Sequence, residues 1–154
     1  MGNVTMKMRP FSRDDFETYR SWYTDPELNH QLGPMAMGDV WLEYVLQESP
    51  PKEFSFFENG ALAAVIGIES PEAGRSTHYI TAIAVDPANK RKGIGRRALA
   101  ILIDEHSQNI EPPTKWVAWV DESNGIARSF FTELNWIQAD ERDSDDMLKF
   151  SLEM

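Results

Sequence analysis

Ile80-Thr81-Ala82-Ile83-Ala84-Val85-Asp86-Pro87-Ala88-Asn89-Lys90-Arg91-Lys92-Gly93-Ile94-Gly95-Arg96-Arg97-Ala98-Leu99 is the stretch around which the chain is organised. An apolar run rich in β-branched residues stops at Asp86-Pro87. A basic loop with two glycines follows, and helical spacing takes over from Ile94. The pattern predicts strand, anion-binding loop and helix. The first N–H groups of a helix have no intrahelical acceptor, and the macrodipole adds partial positive charge there, so an anion is the natural occupant. Gly93 and Gly95 would let the backbone approach a pyrophosphate without a Cβ in the way, and Lys90, Arg91, Lys92, Arg96 and Arg97 would surround it with charge. These five are a third of the chain's 15 Lys and Arg residues, in a window where an even spread would put about one.

The remainder of the chain is acidic, with a net charge of −10 over 154 residues. That balance argues against a general nucleic-acid binder, which must neutralise many phosphates, and suits a cationic partner such as an amine; charge that only keeps the protein soluble is the plainer alternative. The absence of cysteine excludes thiol nucleophiles, disulfides and thiolate metal sites. His30, His78 and His106 have no metal-ligand spacing, so no metal is expected. No apolar run approaches membrane-spanning length and no basic segment followed by an apolar core opens the sequence, so a soluble, cytoplasmic protein without membrane or nucleic-acid partners is expected. The length suits a single domain over 1–154, as a monomer or a homodimer.

Upstream of the loop, Val4 to Arg9 alternates as a short strand would. Ser12-Arg13-Asp14-Asp15 then offers an N-cap to a helix carrying Phe16, Tyr19, Trp22 and Tyr23, whose aromatic stripe suits a core better than a ligand site. Thr24 to Gly38 is expected to be mostly irregular. Asp39 would cap a second helix to about Gln47, with Val40, Trp41, Tyr44 and Val45 on one face. Phe54 to Phe57, the turn Glu58-Asn59-Gly60 and Ala61 to Glu69 form the strongest hairpin signal. Pro71 to Gly74 turns the chain, and Ser76 to Val85 returns as a third antiparallel strand. Downstream, Ile94, Ala98, Leu99, Leu102, Ile103 and His106 give one helix a core-facing stripe. Lys115 to Val120 suits a strand, Ile126, Phe130, Phe131 and Leu134 a further helix, and Trp136 to Ala139 and Met147 to Leu152 two closing strands.

This order, with two motifs in it, resembles the GNAT superfamily of N-acetyltransferases along nearly the whole chain. The first is the family's Gln/Arg-x-x-Gly-x-Gly/Ala loop behind Val-Asp-Pro, present as Lys90-Arg91-Lys92-Gly93-Ile94-Gly95 after Val85-Asp86-Pro87. The second is Asn-x-x-Ala followed by an aromatic pair and Leu, present about thirty residues on as Asn124-Gly125-Ile126-Ala127, Phe130-Phe131 and Leu134. The resemblance implies an α/β (α+β) GNAT-like fold, a mixed central sheet of about six to seven strands flanked by about four helices. It implies transfer of the acetyl group of acetyl-CoA to a primary amine of a small molecule or peptide. Backbone groups of Ile83, Ala84 and Val85 would pair with the pantetheine arm, and the backbone from Lys90 through Arg91, Lys92, Gly93, Ile94, Gly95 and Arg96 would hold the pyrophosphate. Asn124 would touch the pantetheine or adenosine side, Phe131 would lie near the thioester sulfur, and the Ile83 N–H would face the acetyl oxygen. Two departures stand out: Lys90 replaces Gln or Arg, and Phe131 stands where many members carry a tyrosine that protonates the leaving thiolate.

An alkylamine with a pKa of about 10 must lose a proton before it attacks, so a base or water chain is required. Tyr79, Thr81 and Ile83 share the strand face expected to meet the substrate, which makes Tyr79 a candidate to orient a water or the amine. Glu69, ending the preceding strand, is the nearest carboxylate and would act through water; a solvated strand end is its plainer reading. Two other classes stay open. A non-catalytic CoA-binding or regulatory module would account for Phe131 and for the missing obvious base. Gly93-Ile94-Gly95-Arg96-Arg97-Ala98 also fits a dinucleotide-binding oxidoreductase, although its glycines follow the strand too late and no βαβ unit precedes them.

Overall fold

The structure, a computed structural model, describes residues 5–28, 38–49, 51–69, 77–90, 92–109 and 115–153. The strands are β1 (Met6–Pro10), β2 (Glu53–Glu58), β3 (Ala61–Glu69), β4 (Thr77–Val85), β5 (Lys115–Val120), β6 (Ile137–Arg142) and β7 (Leu148–Glu153). The helices are α1 (Phe16–Trp22), α2 (Gly38–Gln47), α3 (Ile94–Asn109) and α4 (Gly125–Glu133). The strands hydrogen-bond in the order β1-β2-β3-β4-β5-β7-β6; β4 and β5 run parallel, and β1–β2, β2–β3, β5–β7 and β6–β7 are antiparallel. This is the mixed sheet with flanking helices expected of a GNAT-like fold. The chain comprises two compact units, one of Met1–Gly67 with Ala82–Asp104, the other of Ile68–Thr81 with Glu105–Met154.

In the first unit the β2–β3 hairpin turns where Asn-Gly predicted. Asn59 and Gly60 have φ of 54° and 82°, the left-handed pair that matches the twist of the flanking strands. The hairpin carries one irregular step. Phe56 faces Ala64 whereas Phe57 faces Leu62, so Ala63 is an extra residue on the β3 side. Its carbonyl accepts the N–H of Asp86 at 2.9 Å, just where β4 gives way to the basic loop.

The aromatic stripe of α1 is core, as expected: Phe11, Phe16, Tyr19 and Trp22 are all buried, with Leu42 and Val45 of α2 in the same cluster. Trp41 lies over Phe11 and Tyr19 with centroid separations of 5.4 and 5.5 Å. The face expected for α2 needs correction. Leu42 and Val45 are buried, while Val40 and Tyr44 are 68% and 67% exposed, so the helix is turned by about one residue from the predicted stripe. In α3 the predicted stripe holds, with Ile94, Ala98, Leu99, Leu102 and His106 buried.

In the second unit, Trp116 and Phe150 of β5 and β7 are fully buried, and Phe131 packs beside Trp136 and Phe150 at 4.8 and 5.8 Å between ring centroids. Ile126, in the first turn of α4, is 55% exposed. His78 is buried and meets His106 and Trp116 at 5.7 and 5.0 Å, facing away from the half-buried Tyr79 as the strand alternation requires. Val4, His30, the turn at Pro71 to Gly74, Ser76 and Arg91 lie outside the described residues.

Candidate active site

Within the first unit the opening motif forms strand, loop and helix as predicted. Asp86 shapes the exit from β4 by bending back on itself, its carboxylate accepting from the Ala88 N–H at 3.0 Å and from Asn89 Nδ2 at 3.3 Å. Pro87 to Asn89 form a single 3-10 turn, and Lys90 resumes extended backbone. Gly93 then takes φ +76°, where an L side chain is strained although open space surrounds the position. Its carbonyl accepts the first α-helical bond, from Arg97 N at 3.1 Å, so Gly93 is the N-cap of α3. An N-cap glycine has no side chain with which to cap the first turn. The start of a helix carries N–H groups without intrahelical acceptors and the positive end of its dipole, which is what a pyrophosphate oxygen requires. Gly95 is the second residue of the helix.

The loop's cations behave differently from the predicted halo of charge. Lys90 Nζ lies 2.8 Å from Asp25 Oδ2 and 2.5 Å from Glu27 Oε2. Hydrogen bonds from its ammonium to these two carboxylates hold Lys90 above the usual lysine range, and Lys90 in turn holds Asp25 below the usual carboxylate range. Arg97 Nη2 lies 2.8 Å from Glu58 Oε2. Lys92 is exposed and donates to Asn89 Oδ1 at 3.0 Å, while Arg96 is exposed on the first turn of α3. Long-range partners thus neutralise Lys90 and Arg97, and local spacing carries no signal of them. An open cleft of about 460 Å³ beside the loop entry is lined by Trp22, Asp25, Pro26 and Asp86 to Ala88, among others. Ile83 and Val85 are half-buried on β4 and Ala84 is fully buried, so what these residues offer a ligand is backbone.

The second unit holds the other expected site residues. Glu69 is exposed at the end of β3, and Tyr79 is half-buried opposite Val117 of β5. Asn124 is the N-cap of α4, its side-chain oxygen accepting from the Ala127 N–H at 3.1 Å. Sequence reasoning gave this asparagine to the ligand alone; its spacing to Ala127 was the missed sign of a cap. Phe131 is 4% exposed within its aromatic cluster, in a setting that suits a ring without a hydroxyl. Asp121 accepts from the Ser123 N–H and hydroxyl at 2.8 and 2.6 Å and is an exposed turn residue. Among the described residues there is no cluster of three potential metal ligands.

The acetyltransferase (GNAT) family profile matches residues 12–136. The chain belongs to the GNAT acetyltransferase family. That match spans both motifs, and the enzyme class expected from the sequence, an acetyl-CoA-dependent N-acetyltransferase, is the class of this family. No curated protein sequence is significantly similar to the chain. Solved structures share its fold over nearly its full length. Spermidine N-acetyltransferase from Vibrio cholerae, in complex with CoA and spermine, superposes with a TM-score of 0.81 at 12% identity, covering 96% of this chain and 95% of its own. PaiA N-acetyltransferase from Thermoplasma acidophilum, in complex with coenzyme A, gives 0.72 at 13% identity over 97% and 99%. An acetyltransferase from Thermus thermophilus gives 0.77 at 15% identity over 100% of both chains. No helix among the described residues of this GNAT protein is long and apolar enough to cross a membrane.

Proposed function

We propose that this GNAT protein, acting as one domain over 1–154, transfers the acetyl group of acetyl-CoA to a primary amine of a small molecule or peptide. The observation that carries this reading is the start of α3, where a glycine N-cap at φ +76° follows the Asp86 turn and brings the positive end of the helix to the loop. Bound there, acetyl-CoA supplies an activated acetyl thioester. The backbone from Lys90 to Arg96 holds its pyrophosphate, the backbone of Ile83, Ala84 and Val85 pairs with its pantetheine arm, and Asn124 and Phe131 take the places their motif implies.

The chain's own groups then have three tasks. A proton must leave the amine, for which Glu69, acting through water, and Tyr79, orienting that water, are the proposed groups. The developing oxyanion needs a donor, which the Ile83 N–H supplies. The amine must be captured, and a protein of net charge −10 favours a cation. A chain without cysteine has no thiol for an acyl-enzyme intermediate, so the acetyl group passes directly between the two substrates in a ternary complex. The bound spermine of the Vibrio cholerae protein supports a polyamine as the first acceptor to try.

The test is thiol release from acetyl-CoA across an amine panel, paired with calorimetry. Binding of acetyl-CoA that is abolished in Gly95→Glu, with turnover on at least one amine, is expected. No binding at high micromolar concentration would end the reading. Phe131, a buried phenyl without a proton to give, favours a second reading, a CoA-binding module without catalysis. Acetyl-CoA binding without thiol release on any amine would establish that one.

A further inference from the structure

Lys90 is the first cation of the loop, and its charge is already answered within the protein. One ammonium stands between two carboxylates, 2.8 Å from Asp25 and 2.5 Å from Glu27, so the trio carries a net negative charge. With two carboxylates at hydrogen-bond distance, that ammonium has little attraction left for an external anion. Asp25 is also firmly held. Asp25 Oδ2 accepts the Leu28 N–H at 3.0 Å and the Asp25 N–H donates to the Trp22 carbonyl at 3.0 Å. Leu28 and Trp22 are 6% and 4% exposed in the core around α1. On the other side of Lys90, Asn89 is hydrogen-bonded through its N–H to the Asp86 carbonyl at 2.9 Å. Lys90 therefore joins two fixed points of the same unit, the end of α1 and the entry to the loop.

We infer that Lys90 is a positioning residue of the acetyl-CoA site, a tether that fixes the start of the loop against Asp25 and Glu27 and offers no charge to the pyrophosphate. This rests on the acetyl-CoA reading above. The two roles for Lys90 give opposite signs. If its ammonium bound the anion, Asp25 and Glu27 would be competitors, and neutralising them would tighten CoA binding. If it is a tether, neutralising them frees the loop and weakens binding.

The experiment measures CoA affinity by calorimetry, and KM for acetyl-CoA and kcat, for wild type, Lys90→Met, Lys90→Arg, Asp25→Asn/Glu27→Gln and the combined triple variant, at low and high salt. Asparagine at 25 keeps the acceptor for Leu28 N–H, so the turn it caps is preserved. Expected are a loss of CoA affinity of about threefold to tenfold in both Lys90→Met and the acid pair variant, and a triple variant no worse than either. Lys90→Arg should restore affinity to within about twofold, kcat should stay near wild type, and the salt dependence of binding in Lys90→Met should parallel wild type. Tighter binding by the acid pair variant, or a flattened salt dependence in Lys90→Met, overturns the tether while leaving the acetyl-CoA reading intact. Wild-type protein that binds no CoA overturns both.

Discussion

Arg9 grips Asp15 with both guanidinium nitrogens, Nη2 at 2.7 Å from Oδ1 and Nη1 at 2.8 Å from Oδ2, and so pins the end of β1 to the turn that opens α1. Asp15 is 4% exposed and is also bonded by the Ser55 hydroxyl at 2.8 Å and the Ser12 N–H at 3.0 Å. Removing the carboxylate leaves those donors without their acceptor. Asp15→Ala should cost about 2–4 kcal/mol by urea or thermal unfolding, and the half-exposed Arg9 less when replaced by Met.

The same carboxylate gives an acid limit. Burial acts to raise its pKa, but the bonds from Arg9, Ser12 and Ser55 and the charge of Arg9 outweigh it, leaving Asp15 below the usual carboxylate value. A depressed folded-state pKa means stability that is present above the unfolded value of about 3.9 and lost as pH falls through the folded one. Unfolding free energy should therefore drop below about pH 4, and the drop should be smaller in Asp15→Asn.

His78 sets a milder limit nearer neutrality. Burial, helped by the charge of His106, holds its pKa below the usual histidine value, so the unfolded chain binds the proton first. Stability should fall as pH decreases from about 6.5 toward the lowered value and level off beneath it. Melting curves between pH 5 and 8 test this. His78→Phe should flatten the slope over that range, and an unchanged slope would remove His78 as its source.

Phe131→Tyr places a hydroxyl among Phe130, Trp136 and Phe150, whose ring centroids lie 4.8 to 5.8 Å away. We expect a loss of about 1–3 kcal/mol, a few degrees of melting temperature in a chain of this size. A variant as stable as wild type and faster in turnover would instead mean that the cluster has room for a hydroxyl and that this hydroxyl serves the leaving thiolate.

Gly93→Ala isolates backbone conformation, because a Cβ there meets open space and only the φ of +76° opposes it. The strain is worth about 1–2 kcal/mol, and the expected result is a raised KM for acetyl-CoA with little change in kcat. On α2, Leu42→Ala should cost about 2–5 kcal/mol while Val40→Lys stays within about 0.5 kcal/mol of wild type.

What was legible in the sequence was local. Asn59-Gly60 announces positive φ, Asp86-Pro87 announces the turn, and the spacing of Ile94, Ala98, Leu99 and Leu102 fixes the buried side of α3. The face of α2 was not legible because Val40, Trp41, Leu42, Tyr44, Val45 and Leu46 surround most of the helix, so periodicity alone selects no unique stripe. The partners of Lys90 and Arg97 were invisible for another reason. Asp25 is 65 residues from Lys90, and nothing in local spacing connects them. Basic clustering correctly located the loop and overstated the charge left for a ligand.

Ala63 is counted by one neighbour of β3 and skipped by the other. On the β2 side it is surplus to the ladder, and on the far side its carbonyl marks where Asp86 leaves β4. The length of β3 is therefore constrained from two directions at once. A deletion at 63 would tidy the hairpin and draw the loop entry out of step with the start of α3, whereas a deletion in the exposed turn of another strand pair would only shorten a connection. Sequence drift in this protein should be free to change what stands at 63 far more readily than whether a residue stands there.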